Sequence, residues 1–185
     1  MKPNLKSFAI TGSLVASALC GLAQDPASGI RESNAVSPLE NFPREAEFVF
    51  KASSYSKTHE IAIHLNPYYV QGDFNGDRKL DTAFFVRERK SGKIGIIVFH
   101  GGTNHLFQIA AGKNNWHIWS DENGGDNFNS INFWYVVRRG PVPRGDFEGP
   151  PPKLKGDAFI LGEDGKGDFL VYWDGRQYAM YGQSD

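Results

Sequence analysis

The chain has 185 residues, with 20 basic against 21 acidic side chains and a formal net charge of −1. Both signs are dispersed, so the charge pattern offers no footprint for nucleic acid or an anionic membrane. Aromatic residues make up 14% of the sequence, which argues against disorder, and a single cysteine rules out a disulfide framework.

Residues 1–23 have the three parts of a secretory signal. Lys2 and Lys6 give a positive start. Residues 8–19 are modestly apolar, interrupted by Thr11, Gly12, Ser13 and Ser17. Gly21 and Ala23 place small residues three and one positions before the Ala23–Gln24 bond. Spanning a bilayer takes about 20 mostly apolar residues, so the expectation is a cleaved export signal, no transmembrane segment, and a secreted or periplasmic product. The alternative is a lipid anchor on Cys20, although Leu19 stands where a lipoprotein signal has a small residue. Residues 24–41 are rich in Ser, Ala, Pro, Gly and Asn and read as a flexible leader. The globular domain is expected over residues 42–185, a length that fits one core.

Residues 43–55 are ambiguous. Glu45, Ala46 and Lys51 suit a short helix, whereas Phe48-Val49-Phe50 suits a strand. Ile61, Ile63 and Leu65 alternate with Ala62 and His64, the period of a half-buried strand. Asn66-Pro67 breaks it, and residues 68–71 resume. Residues 80–87 and 94–100 are strongly apolar, joined by a hairpin turn at 90–93. Residues 105–110 read as a short strand, ended by residues 112–115. Residues 116–119 follow, then a polar loop over 120–130 and a strand over 131–138. Residues 140–155 hold five prolines and read as a long irregular connection. Strands over 158–161, 169–173 and 177–181 close the chain, the last two joined by Asp174-Gly175, a type I′ hairpin signal. About eight strands and at most one N-terminal helix predict a mostly β, β-rich α+β fold: a single small antiparallel-sheet domain.

One motif carries chemistry. Gly72-Asp73-Phe74-Asn75-Gly76-Asp77-Arg78-Lys79-Leu80-Asp81 places side-chain oxygens at loop positions 1, 3, 5 and 9. Calcium takes six to eight hard oxygens at about 2.3 to 2.6 Å. Alternate residues on a tightly coiled loop can point three side chains at one ion, and Lys79 at position 7 offers its backbone carbonyl. Three carboxylates crowded without a cation would repel one another. The other reading is an Asp/Asn/Gly-rich hairpin loop without an ion.

These residues resemble the calcium loop of FG-GAP/VCBS-type repeats, found in integrin-α propellers and in many secreted bacterial proteins. Such loops read much like Gly-Asp-Phe-Asn-Gly-Asp-Gly-Lys-x-Asp, followed by an apolar strand, here residues 82–86. The resemblance implies a loop between adjacent strands, with Asp73, Asn75, Asp77 and Asp81 as side-chain ligands of Ca²⁺. The sequence departs from the pattern at position 6, where Arg78 stands in place of a glycine that takes positive φ. Phe84 at position 12 means there is no bidentate glutamate, so this is not a helix-loop-helix site. One recognisable repeat cannot make the four or more blades of a propeller.

Other groups are weaker candidates. His100 and His105 flank a turn and, with His64 or His117, would be the nitrogens of a zinc site, but no ligand spacing supports it. Asp121, Asn123 and Asp126 fit no known cation loop. Trp116, Trp119 and Trp134, with Tyr135, Tyr172 and Trp173, offer an aromatic surface for a glycan or a peptide. Trp134 and Tyr135 are adjacent on a strand, so they face opposite sides. There is no Gly-x-Ser-x-Gly, no His-Glu-x-x-His and no phosphate-cradling glycine loop. The expected function is therefore a secreted or periplasmic, calcium-stabilised binding protein without catalysis. The alternative is a small hydrolase with its site among His100, His105, His117 and Asp121.

Overall fold

The computed structural model describes residues 39–113, 125–145 and 149–184, which belong to one unit, Ser37–Asp185. The fold is mostly β, with two antiparallel sheets and two short helices. The helices are α1 (Arg44–Ala52) and the single turn α2 (Tyr55–Thr58). The first sheet contains β1 (His59–Ile61), β2 (Tyr69–Gly72), β3 (Asp81–Glu88), β4 (Ile94–Phe99) and β5 (Leu106–Ala110). The second contains β6 (Phe133–Val137), β7 (Ala158–Glu163), β8 (Gly167–Trp173) and β9 (Tyr178–Ser184), in that spatial order. Among the described residues, no helix is long and apolar enough to cross a membrane.

The sheets face each other across a core in which alternate residues of each strand meet. Ala83 and Phe85 of β3 and Ile94, Ile96 and Val98 of β4 pack with Phe159 and Leu161 of β7 and Phe169 and Val171 of β8. The intervening residues of the first sheet, Phe84, Val86, Ile97 and Phe99, pack under α1 through Ala46, Val49 and Phe50. On the far face of the second sheet, Ile160, Leu170 and Tyr181 pack with Leu154 and Val142 of the proline-rich connection. Strands covered on both faces read as continuous apolar runs, and all six residues of β4 are buried.

The α1 segment resolves in favour of the helix. A helical turn groups Ala46, Val49 and Phe50 on one buried side and leaves Phe48 74% exposed, whereas a strand would have buried Phe48 with Phe50. The expected strand over 61–65 is corrected. β1 stops at Ile61, Ala62 is buried and Ile63 is 53% exposed. β1 and β2 pair with the same side of β3, at Val86 to Glu88 and at Asp81 to Phe84, so residues 62–68 are an excursion from one interrupted strand. The excursion reaches the second sheet, where Pro67 O accepts Trp134 Nε1–H at 2.6 Å and His64 Nε2 bonds Ile131 O at 3.1 Å. These bonds explain why the alternation there is not that of a strand.

The last hairpin is also corrected. Asp174 N–H donates to Gln177 O at 3.0 Å, leaving Gly175 and Arg176 as the two central residues. Of these only Gly175 has positive φ, at 109°, the sign pattern of a II′ turn rather than I′. Asp174 Oδ1 caps it by accepting the Arg176 and Gln177 amides at 2.6 and 2.9 Å.

Up-and-down connections bring loop residues to one end of the sandwich: 73–80, 100–105, the described ends of the β6–β7 connection next to Val137 and Ala158, and 174–177.

Candidate metal centre

The 73–80 loop leaves β2 at Gly72 and re-enters β3 at its paired partner, Asp81, so it joins neighbouring strands. Its own side chains wind it. Asp73 accepts the Gly76 amide on Oδ1 at 2.8 Å and the Arg78 amide on Oδ2 at 3.0 Å. Asn75 Oδ1 accepts the Asp77 amide at 2.8 Å, and Asp77 Oδ1 accepts the Lys79 amide at 2.9 Å, both Asx turns. Gly76 and Arg78 have φ of 82° and 67°, so Arg78 holds the left-handed conformation that glycine usually supplies at position 6.

Asp81 has a different setting. It is fully buried, and its Oδ2 accepts the Phe74 and Asn75 amides at 2.8 and 3.1 Å while Oδ1 accepts the Gly101 amide at 2.8 Å. It thus ties its own loop to the β4–β5 turn. Burial pushes its carboxyl up to about 6; the three amides oppose the rise and the nearby charge of Asp77 adds to it.

The loop is also fastened to the second sheet. The Asp157 amide donates to Asp73 O at 2.6 Å, and the Asp73 amide donates to Asp157 Oδ2 at 3.2 Å. A Cβ on Gly156 would lie 2.1 Å from Asp73 O, and one on Gly76 would lie 2.3 Å from Lys155 O, so only glycines permit this approach of backbones. Asp157 further accepts the Arg138 guanidinium at 2.6 Å and the Arg139 amide at 3.0 Å. Burial pushes the Asp157 carboxyl up, but the Arg139 amide, the Arg138 guanidinium and the Asp73 amide outweigh it and hold it below the usual range.

The donor set suits a hard cation. Asp73, Asn75, Asp77, Asp81 and the Lys79 carbonyl offer oxygen only, the chemistry of calcium rather than of a thiolate- or imidazole-preferring metal. A carboxylate has about four lone-pair sites, and the bonds above engage fewer at Asp73 and Asp77 than at Asp81. Among the described residues, no three His, Cys, Asp or Glu side chains gather round one point.

The remaining sequence candidates are dispersed. His100 is 4% exposed, and its Nε2 bonds Tyr178 Oη at 2.8 Å between the rings of Phe107 and Trp173. Burial lowers its pKa to about 4, with the charge of Asp77 opposing the fall and His105 adding to it. His105 is exposed in the same turn. His64 packs its ring on Phe85 in the 62–68 excursion, and burial lowers its pKa too. Trp134 is 5% exposed in the intersheet core, whereas Tyr135 is 49% exposed. Asp126 is buried and paired with Lys93. Trp116, His117, Trp119, Asp121 and Asn123 lie outside the described residues.

Sequence reasoning missed Asp157, Gly156 and Gly101. Gly156-Asp157 repeats the Gly72-Asp73 pair, but local spacing carried no sign that the two pairs meet. No family model, curated protein or solved structure matches this chain.

Proposed function

We propose that this is a secreted or periplasmic binding protein in which the 73–81 loop holds a structural Ca²⁺ ion. Asp73, Asn75, Asp77 and Asp81 would hold the ion with side-chain oxygens and Lys79 with its carbonyl. The bound ion would supply positive charge beside the loop's carboxylates and order the loop end of the sandwich. The carrying observation is the buried Asp81, which links the loop to the β4–β5 turn while its charge goes unmatched by any nearby cationic side chain among the described residues. Calorimetric titration with CaCl₂ after chelator treatment tests the reading: one saturable site is expected, lost in Asp77→Ala. An absence of heat in the wild type would remove calcium from the account.

A further inference from the structure

Among the described residues, the sandwich has a closed side and an open side. The 62–68 excursion seals the β2/β6 side through the Trp134 and His64 bonds. On the other side, β5 ends the first sheet and β9 the second. A groove follows β5 there, formed by two hollows of about 160 and 450 Å³ that meet at Tyr55, Leu106 and Phe107.

The floor of the groove is a strand edge. The bonds His100 N–H to His105 O and Ala111 N–H to Ile94 O set the phase of the β4–β5 ladder. Phe107 and Ile109 therefore turn their amides and carbonyls toward β4, and Leu106 and Gln108 turn theirs away. Among the described residues, no strand pairs with that outer edge. An extended chain laid along it would meet those groups in the manner of strand addition.

The lining also selects a charge. Lys113 stands at one end of the groove and His105 at the other, and among the described residues no Asp or Glu lines either hollow. We propose that the β5 edge binds an extended acidic peptide segment of a partner protein, which adds to the first sheet with its carboxylates toward Lys113. This names a partner for the binding function and rests on that reading, but it does not depend on calcium in the 73–81 loop.

The test uses the full chain on an array of ten-residue peptides. On a Thr/Val background, the array varies Asp/Glu, Lys/Arg and Pro content independently. Acidic peptides should be retained in preference to basic ones and to those interrupted by Pro. Lys113→Glu, an exposed change, should weaken the best acidic peptide roughly three- to fivefold, the weight of one surface ion pair. Gln108→Pro removes a groove-facing N–H together with the side-chain donations to Ala110 O and Ala111 O, so Gln108→Ala is its control. Retention should persist in Gln108→Ala and be abolished in Gln108→Pro, with cooperative melting in both. Equal retention of acidic and basic peptides, undiminished retention of Pro-interrupted ones, or no response to Lys113→Glu would each overturn the proposal. So would self-association through this edge, seen by sedimentation as a dimer that Gln108→Pro dissolves and peptides leave intact. Calcium titration is read separately, so failure of the metal site and failure of the groove are distinguishable.

Discussion

Asp81 and Asp157 invite comparison. Both are buried, both fasten the same loop, and each accepts three hydrogen bonds. Yet burial carries the Asp81 carboxyl up to about 6, while that of Asp157 is held below its usual range. Two differences separate them: Asp81 is the more deeply buried, and only Asp157 has a cation in contact. Asp157 has the Arg138 guanidinium, whereas the nearest charge to Asp81 is another carboxylate, Asp77. At Asp81 the three amide donors do not compensate the burial of the charge. A buried acid in that position favours positive charge brought from outside, which supports the calcium reading.

The harshest test of this contrast is truncation. Asp81→Ala would leave the Phe74, Asn75 and Gly101 amides without their acceptor, at a cost of roughly 3–5 kcal/mol. Asp157→Ala should cost less, about 2 kcal/mol, because Arg138 is 78% exposed and its side of the pair is screened by water. Urea unfolding in chelator measures both. If Asp157→Ala proved the more damaging, the second-sheet fastening and not Asp81 would hold the loop.

His100 sharpens the comparison from behind the loop. Its folded pKa of about 4 lies below the ordinary 6.5, so below pH 6.5 the unfolded chain binds the proton more readily. The stability from keeping the ring neutral is complete above pH 6.5 and is lost as pH falls toward 4, at most ~3 kcal/mol. Tyr178, Asp77 and His105 are the titratable groups facing it. Asp81 titrates in the opposite sense in every variant, so the informative quantity is a difference. His100→Gln can keep a bond to Tyr178 without titrating, and it should overtake wild type progressively between pH 6.5 and 4.5. Parallel pH–stability curves would show that the imidazole does not titrate as its burial demands.

The legibility of the chain divides along the same line as these residues. Strands buried on both faces, such as β3 and β4, announce themselves by apolar runs, and the 73–81 oxygens by spacing. The 62–68 excursion was misread because Ile61, Ile63 and Leu65 keep a strand's period, while bonds from His64 and to Pro67 draw the chain toward the second sheet. The Asp73–Asp157 link spans 84 residues, and nothing local encodes it. His100 looked like a turn residue because its burial depends on Trp173 and Tyr178, which the fold supplies from β8 and β9.

Calcium should act more gently than truncation. Extracellular modules commonly bind it at ~10⁻⁴ to 10⁻³ M. At ten times the dissociation constant, linkage contributes ~1.4 kcal/mol, or roughly 3–6 °C in Tm for a domain of this size. Thermal melts in CaCl₂ and in chelator should differ by that amount in wild type and coincide in Asp77→Ala. Coincident wild-type curves would mean that Asp81 carries its burial cost with no ion to offset it.

The smallest effect is expected at Arg78, the residue where the loop leaves the FG-GAP pattern. Its φ of 67° is one that a Cβ disfavours by ~1–2 kcal/mol. Arg78→Gly relieves that strain, but glycine also widens the unfolded ensemble by up to ~1 kcal/mol, so the net gain should stay below about 1 kcal/mol. The mutant also removes a positive charge from the ion's surroundings, so calcium should bind somewhat more tightly, although water screens so exposed a group. Gly76→Ala gives the contrast within one loop. There φ is 82° and the new Cβ would meet Lys155 O at 2.3 Å, so strain and collision act together and stability should fall by more than Arg78→Gly raises it. Urea unfolding with calorimetric titration reads both variants. Weaker calcium binding by Arg78→Gly would mean that the guanidinium holds the loop in shape, and that position 6 here has exchanged conformational ease for a contact.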